Sequence, residues 1–199
     1  MSSPPPRSTR APLLAAKSAE ESEAVMTQLI LPTDANVLNA AFGGKVMEWI
    51  DICGAVAAQR HCRQVVVTAS MDDLHFHAPI RVGWIVTLRA RVLAAFNTSM
   101  EVGVVVTAED PFTGAQRIAT SALLTFVALG PDGSKTAVPP LALTTAADRH
   151  SYAAAQARRS ERMERSKRDE AAPWRRVFEA TPKTSGRSRK RTSRSGSRT

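Results

Sequence analysis

Asp51 stands alone among apolar neighbours, eight residues after Gly43, in the run LPTDANVLNAAFGGKVMEWIDICGAVAAQRH of residues 31–61. It is the only charged residue between Glu48 and Arg60. Trp49, Ile50, Ile52, Cys53, Ala55 and Val56 around it read as a helix buried on most of its faces. An unpaired buried carboxylate costs several kcal/mol even after relaxation, so a folded chain pairs it, exposes it or uses it. The Gly43-Gly44 pair at the helix start lets backbone approach closely. It also leaves outward-aimed N–H groups where an anion or a developing oxyanion can sit. A carboxylate and an oxyanion-type donor on one helix point to hydrolysis of an acyl group.

Positioning such a pair takes a scaffold, and the pattern around the helix supplies one. Residues 24–31 (AVMTQLIL) have strand character and lead into the Pro32 turn. Residues 43–61 read as one helix of about five turns. Four β-type runs follow: 64–69 continuing through Met71 into 74–78, then 84–93, 97–108 and 116–129. The third of the strand segments alternates cleanly, with Ile85, Thr87, Arg89 and Arg91 on one face and Val86, Leu88, Ala90 and Val92 on the other. Turn chemistry separates the runs, as in Glu109-Asp110-Pro111-Phe112-Thr113-Gly114. One helix followed by antiparallel strands implies an α+β domain in which the sheet wraps the helix.

The 199 residues suffice for one domain with tails. Residues 158–199 carry fifteen Lys/Arg against five Asp/Glu, whereas residues 1–157 are close to neutral, so the net charge of +9 belongs to the tail. Residues 1–23, with Pro where a signal peptide's apolar region would begin, are expected to be a disordered arm. Residues 24–143 form the expected domain. Residues 144–199 form a basic tail: a polar helix over 144–168 able to dock only shallowly, then a disordered end that can contact polyanions. Cys53 and Cys62 are too sparse for a disulfide framework and fit a reducing, cytoplasmic setting. No apolar run is long enough for a membrane-spanning helix. His75 and His77 lack metal-site spacing, and neither metal nor cofactor is expected. His61 and Cys62 at the helix end read as structural.

The stretches PTDANVLNAAFGGKVMEWIDICGAVAAQRHC, FHAPIRVG, NTSMEVGVVVTAEDPFTGAQ and ATSALLTFVAL together resemble the hotdog-fold acyl-CoA thioesterases. The branch is the one that includes the YciA-type and brain cytosolic acyl-CoA hydrolases. The resemblance covers roughly residues 25–130. It implies a hotdog fold, an antiparallel sheet around one central helix, with two protomers sharing a continuous sheet and two active sites at their interface. It implies hydrolysis of acyl-CoA to a fatty acid and coenzyme A. Asp51 would be the helix carboxylate, Asn36 the polar partner from the other subunit, and Gly43 and Gly44 the oxyanion donors.

Elementary chemistry agrees with each implied role. Backbone N–H groups at a helix start polarise a thioester carbonyl, a single donor of this kind being worth about 2.7–4 kcal/mol. Asp51 would serve as general base or, through an anhydride, as nucleophile. An amide such as Asn36 orients water or carbonyl without adding charge. Arg89 and Arg91 would hold the phosphates of coenzyme A, or form a solvated edge; Thr98 and Ser99 would bond the pantetheine arm, or simply start a strand. Three departures from the family pattern stand out: Trp84 after Gly83 where an acidic residue is usual, Asn39 in place of glycine, and Cys53 beside the carboxylate, read as trimming the pocket. The second reading from another class is a slow acyl-CoA-binding or regulatory protein tethered by its basic tail.

Overall fold

A computed structural model of the protein describes residues 14–169. The first 13 residues of the expected arm, and the tail from residue 170 with its expected disorder and polyanion contacts, lie outside the described residues. Two compact units divide the chain, Met1–Arg158 and Arg159–Thr199. The sheet and every candidate site residue belong to the first. The described part of the second is the end of a helix.

Five strands, β1 (Ala24–Leu29), β2 (Val65–Phe76), β3 (Ile85–Ala95), β4 (Ser99–Glu109) and β5 (Gln116–Leu129), form one antiparallel sheet in the order β1-β3-β4-β5-β2. The helix α1 (Gly43–Cys62) packs on its concave side. The alternation in β3 sorts as its sequence requires: Val86, Leu88, Ala90 and Val92 are buried, while Arg89 lies exposed on the opposite face. On α1 the buried positions include Val46, Trp49, Ile50, Cys53, Ala57, Ala58 and His61 on one side, while Met47, Glu48, Ile52, Gln59 and Arg60 are exposed, so the helix is buried on fewer faces than its sequence suggests. Gly54 permits the closest approach, since a Cβ there would sit 3.1 Å from the Phe126 ring of β5. The helix ends at Arg63, whose left-handed backbone (φ 55°) brings its N–H onto the Gln59 carbonyl at 2.7 Å.

β3, β4 and β5 form the expected meander, but β2 crosses over to pair with β5 and becomes an edge strand. It runs without a break through the polar Ser70-Met71-Asp72-Asp73 stretch. Register shifts between Thr68 and Ser70 and between Asp72 and His75, with φ 47° at Asp73, absorb the irregularity.

Described structure extends on both sides of residues 24–143. The chain is already folded before residue 24: Lys17 bridges Leu141 in parallel, its Nζ caps the Arg60 carbonyl at 2.7 Å, and Ala19 and Ser22 are buried. Burial of Ala19 and Ser22 and the Lys17 contacts to the end of α1 hold this segment, which composition alone had assigned to the arm. The helix α2 (Ala146–Asp169) forms where a polar helix was expected, opened by reciprocal bonds between Thr145 and Asp148. Its docking is deeper than its polar sequence suggests. Ala155 is fully buried, and Arg158 donates twice, at 3.1 and 2.5 Å, to Glu101, a carboxylate only 1% exposed on β4. A polar helix docks here through charge pairs rather than an apolar stripe.

Candidate active site

α1 opens without a side-chain cap. Phe42 occupies the N-cap position, its own N–H bound to the Asp34 carbonyl at 2.7 Å. The amides of Gly43 and Gly44, in the first turn, have no acceptor within the helix and meet none among the described residues. The Phe76 and Phe42 rings crowd these two glycines: a Cβ on Gly43 would lie 3.4 Å from Phe76, and one on Gly44 would lie 3.3 Å from Phe42. Bare backbone at this point therefore keeps the two donors accessible between aromatic walls.

The loop carrying Asn36 is held by its own side chain. Asn36 Oδ1 accepts from the amides of Leu38 (2.9 Å) and Ala40 (3.3 Å), and its backbone N–H donates to the Ala40 carbonyl at 2.8 Å. Asn39 adopts the left-handed conformation (φ 54°) expected of an asparagine standing in for glycine. With Oδ1 committed to the loop, the Nδ2 donor is the free end of Asn36 among the described residues. Asn36 lines a cleft of about 380 Å³ together with Leu38, Gly43, Val46, Phe76 and His77.

Asp51 lies two turns further along α1, half-buried, on the same face as Gly44 and Met47 at helical spacings of seven and four residues. Thr68 of β2 donates from Oγ1 to Asp51 Oδ1 at 2.6 Å, a short charge-assisted bond. Sequence reasoning missed Thr68. In VVVTA it reads as an ordinary strand residue, and only the crossing of β2 over α1 reveals its partner. Cys53 does not trim a pocket. Two residues on from Asp51 it points to another side of the helix, with Sγ buried against the carbonyls of Ala24 and Leu88, and that burial raises its thiol pKa.

The expected site residues thus fall into groups. Asn36 and Gly43 share one cleft, and Asp51 is joined to Thr68, but Asp51 does not line the Asn36 cleft. Thr98 and Ser99 lie at the β3–β4 hairpin, where Ala128 N–H bonds the Thr98 carbonyl and Phe96 N–H the Ser99 carbonyl. They are outside the Asn36 cleft. Arg89 and Arg91 are on the convex face, away from α1. Arg89 pairs with Glu23 at 2.8 Å, and Arg91 with Glu20 and with Asp148 at 3.1 Å. Asp148 is held below the ordinary carboxylate range, first by the Thr145 hydroxyl bond and then by the Thr145 amide. Among the described residues no group of three His, Cys, Asp or Glu side chains is placed to hold a metal ion. His75 and His77 stack on each other, and His77 bonds Ser121 at 2.9 Å.

Apolar side chains around this site face solvent: Val37 is 99% exposed, Leu38 80%, Phe42 60% and Phe76 52%, with Val65 and Val67 also exposed on the β2 edge. So large an open apolar patch, continuous with an unpaired strand edge, marks an interaction surface.

A five-stranded antiparallel sheet closed over one long helix is the hotdog architecture. Residues 38–115 match the family described as the thioesterase superfamily. An uncharacterized acyl-CoA thioester hydrolase of Bacillus subtilis is 38% identical over 152 residues, 76% of this chain and 88% of that protein. An acetyl-coenzyme A thioesterase of mouse is 37% identical over 142 residues, 71% of this chain. It is a much longer protein, of which the chain spans only 26%. The crystal structure of an acyl-CoA hydrolase from Staphylococcus aureus, in complex with butyryl coenzyme A and coenzyme A, superposes with a TM-score of 0.73. It is 33% identical, covering 78% of this chain and 95% of that one. Structures of the same hydrolase exist with single alanine replacements of an Asn, an Asp and a Thr. A hotdog thioesterase of Campylobacter jejuni, 35% identical over 57% of this chain and 87% of its own with a TM-score of 0.54, is hexameric. The chain belongs to the thioesterase superfamily of hotdog proteins.

Proposed function

We propose that the protein hydrolyses acyl-coenzyme A to a free fatty acid and coenzyme A, with a site completed by a second copy of the chain. The observation that carries this reading is the Thr68–Asp51 pair, two turns beyond the unengaged Gly43 and Gly44 amides on the same helix. The Asn, Asp and Thr replaced in the Staphylococcus aureus hydrolase stand 15 and 17 residues apart. Asn36, Asp51 and Thr68 have the same two spacings.

The thioester oxygen is received by the helix-start amides, chiefly Gly44 with Gly43, where the partial positive charge of the helix terminus favours a developing oxyanion. Asp51, oriented by Thr68, takes a proton from water as the water oxygen attacks the carbonyl carbon. Collapse of the tetrahedral intermediate breaks the C–S bond, and coenzyme A leaves as a thiolate that takes up a proton. Asn36 offers Nδ2 as a donor to the water or the carbonyl. Because Asp51 does not line the cleft of its own Asn36, the pair meets across a dimer interface. Pairing through the β2 edge would cover the exposed Val37, Leu38, Phe42, Val65 and Val67. Thr98 and Ser99 are the proposed holders of the pantetheine arm. Arg89 and Arg91 are the proposed holders of the phosphates, which must share these guanidinium groups with Glu20, Glu23 and Asp148.

The test is complementation. Asn36→Ala and Asp51→Asn proteins are each expected to lose most turnover, since loss of a general base is worth about 10²–10⁴ in rate. Mixing them with subunit exchange should restore partial activity, because some heterodimers hold one intact site. No recovery after verified exchange refutes the shared site. Wild-type kcat in a folded Asp51→Asn protein refutes the base, and absence of coenzyme A release from any acyl-CoA by the unaltered protein refutes the activity.

A further inference from the structure

We infer that Arg117 and Trp84 form a staple that positions the loop carrying Asn36, and so are positioning residues for the proposed reaction. The inference rests on the reading of the Asn36–Gly43 cleft as part of the active site.

Arg117 lies at the start of β5 and grips the 79–84 connection at both ends. Its Nη2 donates to the Pro79 carbonyl at 2.8 Å, and its guanidinium lies over the Trp84 ring, 4.6 Å from the centroid. A cation over an indole face is the strongest pairing of its kind, and the planar guanidinium can stack and donate in its plane at once. Between these two grips, the connection is zipped to the Asn36 loop by backbone bonds. Ala41 N–H donates to the Ile80 carbonyl at 2.7 Å, Val82 N–H to the Asn39 carbonyl at 3.2 Å, and Ala40 pairs with Arg81 as an isolated bridge. Pro79 and Ile80 line the same cleft as Asn36 and Gly43.

Asn36 therefore depends on its own Asx-type turn and, through three contacts, on a second loop that the Arg117 side chain ties end to end, with two backbone bonds to Ile30 (Gly83 N–H to its carbonyl at 2.8 Å, its N–H to the Trp84 carbonyl at 2.9 Å) also holding the Trp84 end. The Trp84 indole offers a flat platform that leaves the in-plane guanidinium N–H for the Pro79 carbonyl. Neither residue touches the cleft. Their effect travels through the backbone of 79–84.

The experiment compares the full chain with Arg117→Met, Trp84→Leu, Trp84→Phe and Asn36→Ala variants by hydrogen–deuterium exchange and by steady-state hydrolysis. Loss of the staple should speed exchange about tenfold in peptides covering 36–42 and 79–84, with the buried half of α1 and β3–β5 unchanged. Turnover should fall about tenfold in kcat with KM within about twofold, because small misplacements of reacting groups cost rate steeply. Trp84→Phe keeps an aromatic face and should behave as wild type. Faster exchange spread evenly over the domain would reduce the staple to ordinary stability and overturn the inference. So would unchanged kcat in Arg117→Met when Asn36→Ala is inactive. If Asn36→Ala itself keeps full activity, the cleft is not the catalytic site and the functional reading fails; locally faster exchange in Arg117→Met would still uphold the staple.

Discussion

Thr68→Val tests the proposed catalytic role of Asp51 without altering the carboxylate. The replacement keeps the size and branching of threonine and removes the hydroxyl that donates to Asp51 Oδ1 at 2.6 Å. A hydrogen bond to a charged group is worth about 1.5–3 kcal/mol. Thr68 is exposed on the β2 edge and Asp51 only half-buried, which places this bond at the lower end. At about 1.4 kcal/mol per decade, kcat should fall about tenfold. Stability should change by no more than about 0.5 kcal/mol, because valine suits an exposed strand as well as threonine does. Thr68→Ser, which keeps the donor, should retain most activity. The assay is thiol release from acyl-CoA, with melting curves to verify folding. The reasoning fails if Thr68→Val keeps kcat within about twofold of wild type, or if Thr68→Ser loses as much as Thr68→Val. It also fails if Thr68→Val lowers the residual rate of an Asp51→Asn protein by a further decade, since the hydroxyl would then act independently of the carboxylate.

Two further predictions concern the fold. Arg158→Ala removes the guanidinium from the nearly buried Glu101 and should cost on the order of 3 kcal/mol. Truncation after Asp169 keeps Arg158 and should leave the melting temperature unchanged, whereas truncation at Leu143 should lower it; an unshifted midpoint for Arg158→Ala or the shorter truncation would refute the docking of α2. His61 is fully buried and donates from Nε2 to the Pro139 carbonyl at 3.0 Å, and burial is the main cause holding its pKa below the ordinary histidine value of 6.5. Between those two values the unfolded chain binds more protons, so stability should be complete above about pH 6.5 and decline as pH falls toward the lowered pKa. A His61→Gln protein should lose less stability than wild type between pH 7.5 and 5.5; equal losses would remove His61 from the account.

Most elements were legible in the sequence because their signals are local. Period-two alternation and turn residues delimit β5 at Gln116–Leu129, and the Gly43-Gly44 pair marks the start of α1. What local pattern does not encode is pairing between distant segments. β2 lies beside β5 and not β3, and that crossing is what brings Thr68 to Asp51. Arg89 and Arg91 read as phosphate holders or a solvated edge, and nothing local announces their carboxylate partners, which lie 57 to 71 residues away. α2 was expected to dock only shallowly because an apolar stripe was the criterion, while a charge pair to a nearly buried glutamate leaves no such stripe. Asp51, Asn36 and the glycines stood out as a motif; which of them meet within one chain was a matter of geometry.

The bridge between Lys17 and Leu141 joins segments 124 residues apart. At about 5–20 residues per second, a nascent chain waits about 6–25 seconds between making the first and the second. All five strands and α1 are complete before the seam can close, and Pro139, whose carbonyl accepts a hydrogen bond from the His61 imidazole, arrives just ahead of it. A chain that ends after β5 but before residue 139 has all five strands and α1 but lacks the segment whose Pro139 carbonyl meets His61 near the end of α1.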